Sequence, residues 1–385
     1  MKQKQINDLI KFIRINYNSK KVSLHEPRFF GNEKIFLNKT IDSTFVSSAG
    51  KNIQLFEKKI SEITNSKYAI STSSGTAALH SSLIAVGCDK NSEVITQSLS
   101  FIAASNAIKY CGSTPVFIDV DKNSFGLSYH KLKKFLTENC EIRDGFCWNK
   151  KSKKIIRACI PMHTYGFMME IDLIKKLCKQ YYIKLIEDAA EALGSFYKNK
   201  HAGTYGDIGI LSFNGNKIIT TGAGGMILTN NKKYAKKLKH ITTTAKKNHP
   251  WHFIHDEVGY NYRMPNICAS LGLAQLQNFK YFLSDKKKLA KKYYDWGDEN
   301  NLQFLKKITG CNPNYWLNTI ILDSKIDRDN LLRETNERGI ITRPAWTPMH
   351  KLSMYSSCYR SCMSNTEWIF DRAVNLPSSV RQRLS

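Results

Sequence analysis

The sequence predicts an α/β protein, with a mostly parallel central sheet in a large domain and a smaller α+β domain at the C-terminal end. Three observations carry that expectation. Short apolar runs alternate with segments of helical period between about residues 51 and 280. The connections between those runs are long enough for crossover helices, which parallel strands require and hairpins do not. After about residue 300 the alternation gives way to a strand, a helix, a second strand and a polar tail. At roughly 150 residues per domain, 385 residues leave room for two or three units. The expected boundaries are 1–50 for an N-terminal arm and substrate loop, 51–280 for the large domain and 281–385 for the small one.

The elements follow in chain order. A short amphipathic helix is expected over 6–17, then a loop through HEPRFFGNEK. Ile53, Phe56, Ile60 and Ile63 recur at helical spacing. A strand over 68–71 precedes SSGTAALHSSLIAVG, whose Ser, Gly and Thr suit a helix start and whose Gly87 suits a stop. Further strands are expected over 93–96, 115–120, 155–161, 184–187, 208–213 and 225–229, with helices over 101–110, 131–136 and 171–181. Residues 140–154 are polar and read as an insertion loop, and 266–294 as a helical zone. In the last part, strands over 316–322 and 340–343 flank a helix over 328–338.

Composition narrows the function classes. Charged residues make up 23% and hydrophobic ones 42%, which excludes a disordered chain. Lys and Arg number 58 against 32 Asp and Glu, a net charge of +26 that brings anionic partners into view. Lysine dominates and arginine is scattered, so the charge reads as a solvated surface rather than a nucleic-acid reader. None of the ten cysteines forms a C-x-x-C pair, so they are expected as free thiols in a reducing compartment, the cytoplasm. No apolar run reaches the roughly 18 residues of a membrane helix, and the N-terminus lacks a signal-peptide core.

Three features carry chemistry. The apolar strand of KLIEDAAEALGS ends in Glu187-Asp188, and ligands of open α/β sheets bind beyond carboxyl ends of strands. Asp188 could equally cap the next helix. Lys217 follows another apolar run, inside the polar turn of SFNGNKIITTGAGG; a lysine held there can form an imine with a carbonyl. Lys217 precedes the glycines, so the run is no P-loop. SSGTAALH sets hydroxyls and free N–H groups at a helix start, suited to a phosphate or to plain capping.

Taken in order, SSGTAALH, SLSFIAASNAI, GSTPVFIDVD, PMHTYG, EDAAEALGS, SFNGNKIITTGAGG and GYNYRMPN resemble the DegT/DnrJ/EryC1/StrS sugar aminotransferases, from about His25 to Pro377. The resemblance implies a pyridoxal-phosphate (PLP) enzyme of fold type I, with PLP held by the large domain. Lys217 matches the lysine that links to the cofactor and then moves the proton. Asp188 matches the carboxylate that keeps the pyridine nitrogen protonated. Phe101 matches the aromatic on one ring face, and Ala190 would offer a small surface to the other. Gly75, Thr76 and Ser212 match phosphate contacts, and Asn261 an asparagine given across a homodimer interface. Glu191 and Asn214 stand near the cofactor where many or some relatives have His.

The resemblance also implies L-glutamate as amino donor and a nucleotide-linked keto sugar as acceptor, for bacterial surface glycans such as the O-antigen of lipopolysaccharide. HEPRF, VSSAGK and KKNHPW are similar to a subgroup associated with UDP-linked 4-keto-6-deoxy-N-acetylhexosamines. GDP-4-keto-6-deoxymannose, giving GDP-perosamine, is the alternative. Candidate sugar and diphosphate contacts are Arg28, Ser47, Ser48, His163, Tyr165, Arg343 and His350. The rivals are weaker. Lys217 argues against the sister dehydratases, whose lysine is a histidine, and with Asp188 against a PLP-binding regulator without catalysis. Pro250 and Trp251 interrupt a metal set of His249, His252, His255 and Asp256, so no metal is expected. Neither nucleic acid nor membrane is expected as a partner.

Overall fold

The computed structural model describes residues 1–381. Helix α1 (Gln3–Tyr17) gathers Ile6, Leu9, Ile10 and Ile13 on one buried face, followed by α2 (Glu33–Asp42) and α3 (Lys51–Thr64). Strand β1 (Tyr68–Thr72) leads into α4 (Gly75–Ala85), whose first turn is capped by Ser74 Oγ, accepting the Ala77 N–H at 3.0 Å. Then come β2 (Ser92–Gln97), α5 (Ala103–Tyr110), β3 (Thr114–Ile118) and α6 (Tyr129–Asn139). β4 (Cys140–Arg143), β5 (Phe146–Asn149), β6 (Ile155–Ile160), α7 (Ile171–Gln180) and β7 (Lys184–Asp188) follow. Two short strands, β8 (Phe196–Tyr197) and β9 (Lys200–His201), precede β10 (Ile208–Ser212), β11 (Gly225–Thr229) and α8 (Lys232–Ile241).

The large sheet has the order β1-β11-β10-β7-β6-β2-β3. β10, β7, β6, β2 and β3 run parallel, and β11 runs antiparallel to both β1 and β10. Neighbouring residues on a strand face opposite cores. Leu185 and Leu211 point into the cluster of Phe56 and Phe213, while Ile186 and Ile210 point into that of Leu79 and Ile227. This two-sided burial is why the strands read as continuous apolar runs.

α9 (Asn266–Gln277) stays with the large core, where Ala269 clusters with Phe56, and β13 (Cys311–Asn312) pairs with β8. α10 (Phe279–Glu299) leads into the smaller unit, which contains β12 (Gln303–Phe304), β14 (Asn318–Ile321), α11 (Lys325–Glu337), β15 (Arg343–Pro344), α12 (Ser364–Phe370) and β16 (Ala373–Leu376). Its sheet has the order β12-β14-β16-β15. α1 belongs to this core: Ile6, Leu9 and Ile13 cluster with Leu289, Tyr293, Ile320, Leu331 and Val374. α2 instead lies on α9, where Thr40 Oγ1 donates to Ser270 Oγ at 2.8 Å. Residues 1–50 therefore divide between two cores.

Four details differ from the sequence reading. The expected loop at 140–154 contains a hairpin, because Asp144 and Gly145 both take positive φ (53° and 74°) and turn β4 back onto β5. The helical zone breaks at Asn278 into two helices. The polar tail contains α12 and the fully buried β16, which lies between β14 and β15. α8 hides in a lysine-rich stretch, with Ala235, Leu238 and Ile241 as its buried stripe.

Candidate active site

The parallel strands deliver their carboxyl ends to one edge of the sheet. β7 ends at Asp188, β10 at Ser212, β6 runs on to Met162 and β2 to Phe101. The antiparallel β11 begins at that edge with Gly225, paired with Thr72 and Ser212. A Cβ on Gly225 would sit 2.4 Å from Ser74 O and 2.7 Å from Gly75 N, so only glycine lets β11 press against the start of α4. These ends surround a cavity of about 330 Å³. It is lined by Gly75, Thr76, Phe101, Asp188, Ala190, Glu191, Ser212, Asn214 and Lys217, all singled out in the sequence.

Lys217 is held by the turn after β10, where its N–H donates to Asn214 O at 2.9 Å. It is the one cation among the described residues lining the cavity. Its Nζ lies 3.3 Å from Glu191 Oε1 and 4.1 Å from the centre of the Trp316 ring. Burial pushes the Glu191 carboxyl up to about 7, against the opposing pull of Lys217 and the Tyr165 N–H. Burial also raises the Asp188 carboxyl, while the Ala190 N–H at 3.1 Å and the charges of Lys217 and His163 draw it down. Phe101 stands at the rim, 54% exposed, its ring 6.5 Å from that of Trp346.

The other predicted residues lie elsewhere. His163 is fully buried, with Nε2 3.0 Å from Glu187 Oε2, so it sits behind Asp188 instead of facing a sugar. Tyr165 is fully buried one layer back: its N–H donates to Glu191 Oε2 at 2.9 Å and its ring packs 4.9 Å from Trp346. His350 is turned to Ser98 Oγ at 2.7 Å. Arg28 bonds Val380 O and Glu26, exposed Arg343 bonds Asn336, and Ser47 and Ser48 are exposed outside the cavity. Asn261 is exposed, pairs with Thr243 and does not line the cavity of its own chain. Of the histidine set, His249 Nδ1 accepts the His252 N–H and His255 Nδ1 meets Thr244 O, while Asp256 pairs with His240 and Lys247.

Sequence reasoning missed Ser74, Met162, Asn216, Trp316 and Trp346, which also line the cavity. Ser74 was visible as the cap within SSGT. Trp316 and Trp346 come from the small unit, and no local pattern ties them to Lys217, 99 and 129 residues earlier in the chain.

A mostly parallel sheet with a lysine in the turn after one strand and an acid at the end of another fits the PLP-dependent transferases of fold type I. The sequence profile of the DegT/DnrJ/EryC1/StrS aminotransferase family matches residues 31–383, and the chain belongs to that family. A GDP-perosamine synthase of Escherichia coli O157:H7 is 38% identical over 361 residues, 93% of each chain. One of Vibrio cholerae is 36% identical over 363 residues, 93% of this chain and 94% of that one. The fold matches Helicobacter pylori PseC, an aminotransferase involved in the biosynthesis of pseudoaminic acid, with a TM-score of 0.83, 24% identity and 93% coverage of each chain. The protein is therefore a PLP-dependent aminotransferase. The residues present fit that cofactor: a buried acid that no lysine or arginine bonds among the described residues, a glycine-opened helix start, and, among those residues, a single lysine in the same cavity.

Proposed function

We propose that the chain transfers an amino group from L-glutamate to C4 of GDP-4-keto-6-deoxymannose, yielding GDP-perosamine for a surface glycan. The near full-length likeness to two GDP-perosamine synthases carries this reading. It favours the GDP-linked acceptor over the UDP-linked N-acetylhexosamine expected from the sequence motifs.

Bound PLP supplies an electron sink for the electrons released when a proton leaves the amino-bearing carbon. The chain's residues do the rest. Asp188 keeps the proton on the ring nitrogen. Phe101 and Ala190, both lining the cavity, would hold the ring. The N–H groups at Gly75 and Thr76 and the Ser212 hydroxyl take the phosphate. Lys217 Nζ takes the proton from Cα of glutamate and, in the second half-reaction, delivers one to C4 of the sugar. Glu191 and Asn214 flank Lys217 near the cofactor. A second copy of the chain brings Asn261 to the phosphate, and Asn261's exposure outside its own cavity supports a homodimer. The ten free thiols suit the cytoplasm.

The test is incubation of the PLP-loaded enzyme and glutamate with GDP- and UDP-linked 4-keto-6-deoxy sugars, reading products by mass and NMR. Amination of the GDP sugar at C4 is expected. Amination of the UDP sugar alone would overturn the assignment.

A further inference from the structure

The strands that end at Lys217's cavity begin at a second one. Arg157 on β6, Lys184 and Leu185 on β7, and Gly206 and Asp207 before β10 line a cavity of about 970 Å³ at the amino edge of the sheet. Helix α7 adds Lys175, Lys176 and Lys179, and the β4–β5 turn adds Gly145 and Phe146.

Three observations set it apart from the lysine-rich surface. First, its charge is uncompensated. Arg157, Lys175, Lys176, Lys179 and Lys184 make no ion pair and no side-chain hydrogen bond among the described residues. The one carboxylate in the lining, Asp207, is already engaged by the Leu185 N–H at 2.9 Å. Secondly, Arg157 is placed by a bulge. Glu93 pairs with Ile156 and Val94 with Ala158, leaving Arg157 as the extra residue, and a bulge re-aims a side chain. Its guanidinium rests on the Phe146 ring at 4.8 Å, yet its Nε is buried without a partner, a donor that needs an acceptor. Thirdly, aromatic rings stand open beside these cations: Tyr182 is 59% and Phe146 39% exposed.

We propose that this cavity is a second binding site for a phosphate-bearing anion of nucleotide size, at the opposite edge of the sheet from Lys217. The lysines and Arg157 take the phosphates, and Phe146 and Tyr182 offer faces to a flat base. Inorganic phosphate would fill only a small part of the volume, so a nucleoside diphosphate or triphosphate is the class of ligand. The site is independent of the catalytic machinery.

The test counts GDP bound per chain of the PLP-loaded enzyme by calorimetry, in wild type and in Lys175→Glu/Lys179→Glu. Both lysines are exposed, so the fold is expected to stay intact. Wild type should bind two GDP per chain. The double variant should bind one, with the second weakened at least about tenfold and the aminotransferase kcat and KM unchanged. Arg157→Gln should weaken the same event. If the GDP-sugar reading of the active site fails, wild type binds one GDP and the double variant none, so the two failures are distinguishable. Equal counts and affinities in wild type and both variants would overturn the proposal. Excess inorganic pyrophosphate should displace the lysine-dependent GDP; its failure to do so would overturn the phosphate assignment.

Discussion

Replacing Glu191 with Gln tests how the cavity is wired. The carboxyl is buried, 3.3 Å from Lys217 Nζ and 2.9 Å from the Tyr165 N–H. Burial outweighs both partners and moves its pKa from 4.5 to about 7. Between those values the folded chain keeps a proton that the unfolded chain has released. The stability held by neutral Glu191 is therefore full below about pH 4.5 and is lost as pH rises through about 7. At about 1.4 kcal/mol per pH unit, the gap is worth about 3 kcal/mol. Gln keeps an acceptor for the Tyr165 N–H and cannot ionise. For 385 residues the unfolding entropy is about 0.8 kcal/mol/K, so 3 kcal/mol corresponds to about 4 °C in Tm. Scanning calorimetry of the cofactor-free chain from pH 4.5 to 8 should show wild type falling behind Glu191→Gln by about that amount. A Tm difference independent of pH, or one opening the other way, would refute this account of the carboxyl.

Three further substitutions probe the cavity walls. Asp188→Asn removes the charge proposed to hold the ring-nitrogen proton and should slow transamination about a thousandfold, roughly 4 kcal/mol in barrier, in a glutamate half-reaction; a near-normal rate would leave Asp188 as the acceptor of the Ala190 N–H in a turn. Gly225→Ala should drive a methyl into Ser74 O and Gly75 N and abolish PLP retention in gel filtration, while Gly215→Ala, with open space around its Cβ, retains it; equal retention would refute the close-approach argument. Trp316→Leu removes the ring face 4.1 Å from Lys217 Nζ, an interaction of about 1–2 kcal/mol, and should lower kcat about tenfold; an unchanged kcat would reduce Trp316 to a wall.

Much of the fold and the near side of the cavity were legible because local rules fix them. Strands β2, β6, β7 and β10 are buried on both faces and read as apolar runs, and their carboxyl ends carry Asp188, Ser212 and the lead-in to Phe101. Lys217 was found because a polar turn interrupts two such runs. The hairpin was hidden by polar residues although Asp144-Gly145 is a strong turn signal. Trp316 and Trp346 were hidden for a different reason: tertiary packing alone brings them to the cavity. His163 and Tyr165 have the polar tips of ligand residues, yet the folded chain turns the His163 ring to Glu187 and buries the Tyr165 ring, whose backbone N–H serves Glu191.

The central claim is that Lys217 carries the cofactor in this cavity. The enzyme loaded with PLP should be yellow, and borohydride should abolish the absorbance band and fix the phosphopyridoxyl group on one lysine. Digestion and peptide mass mapping should find it on Lys217. A label on another lysine, such as the buried Lys286 held by Trp316 O and Ser378 O, or a colourless chain that takes up no PLP, would contradict the account.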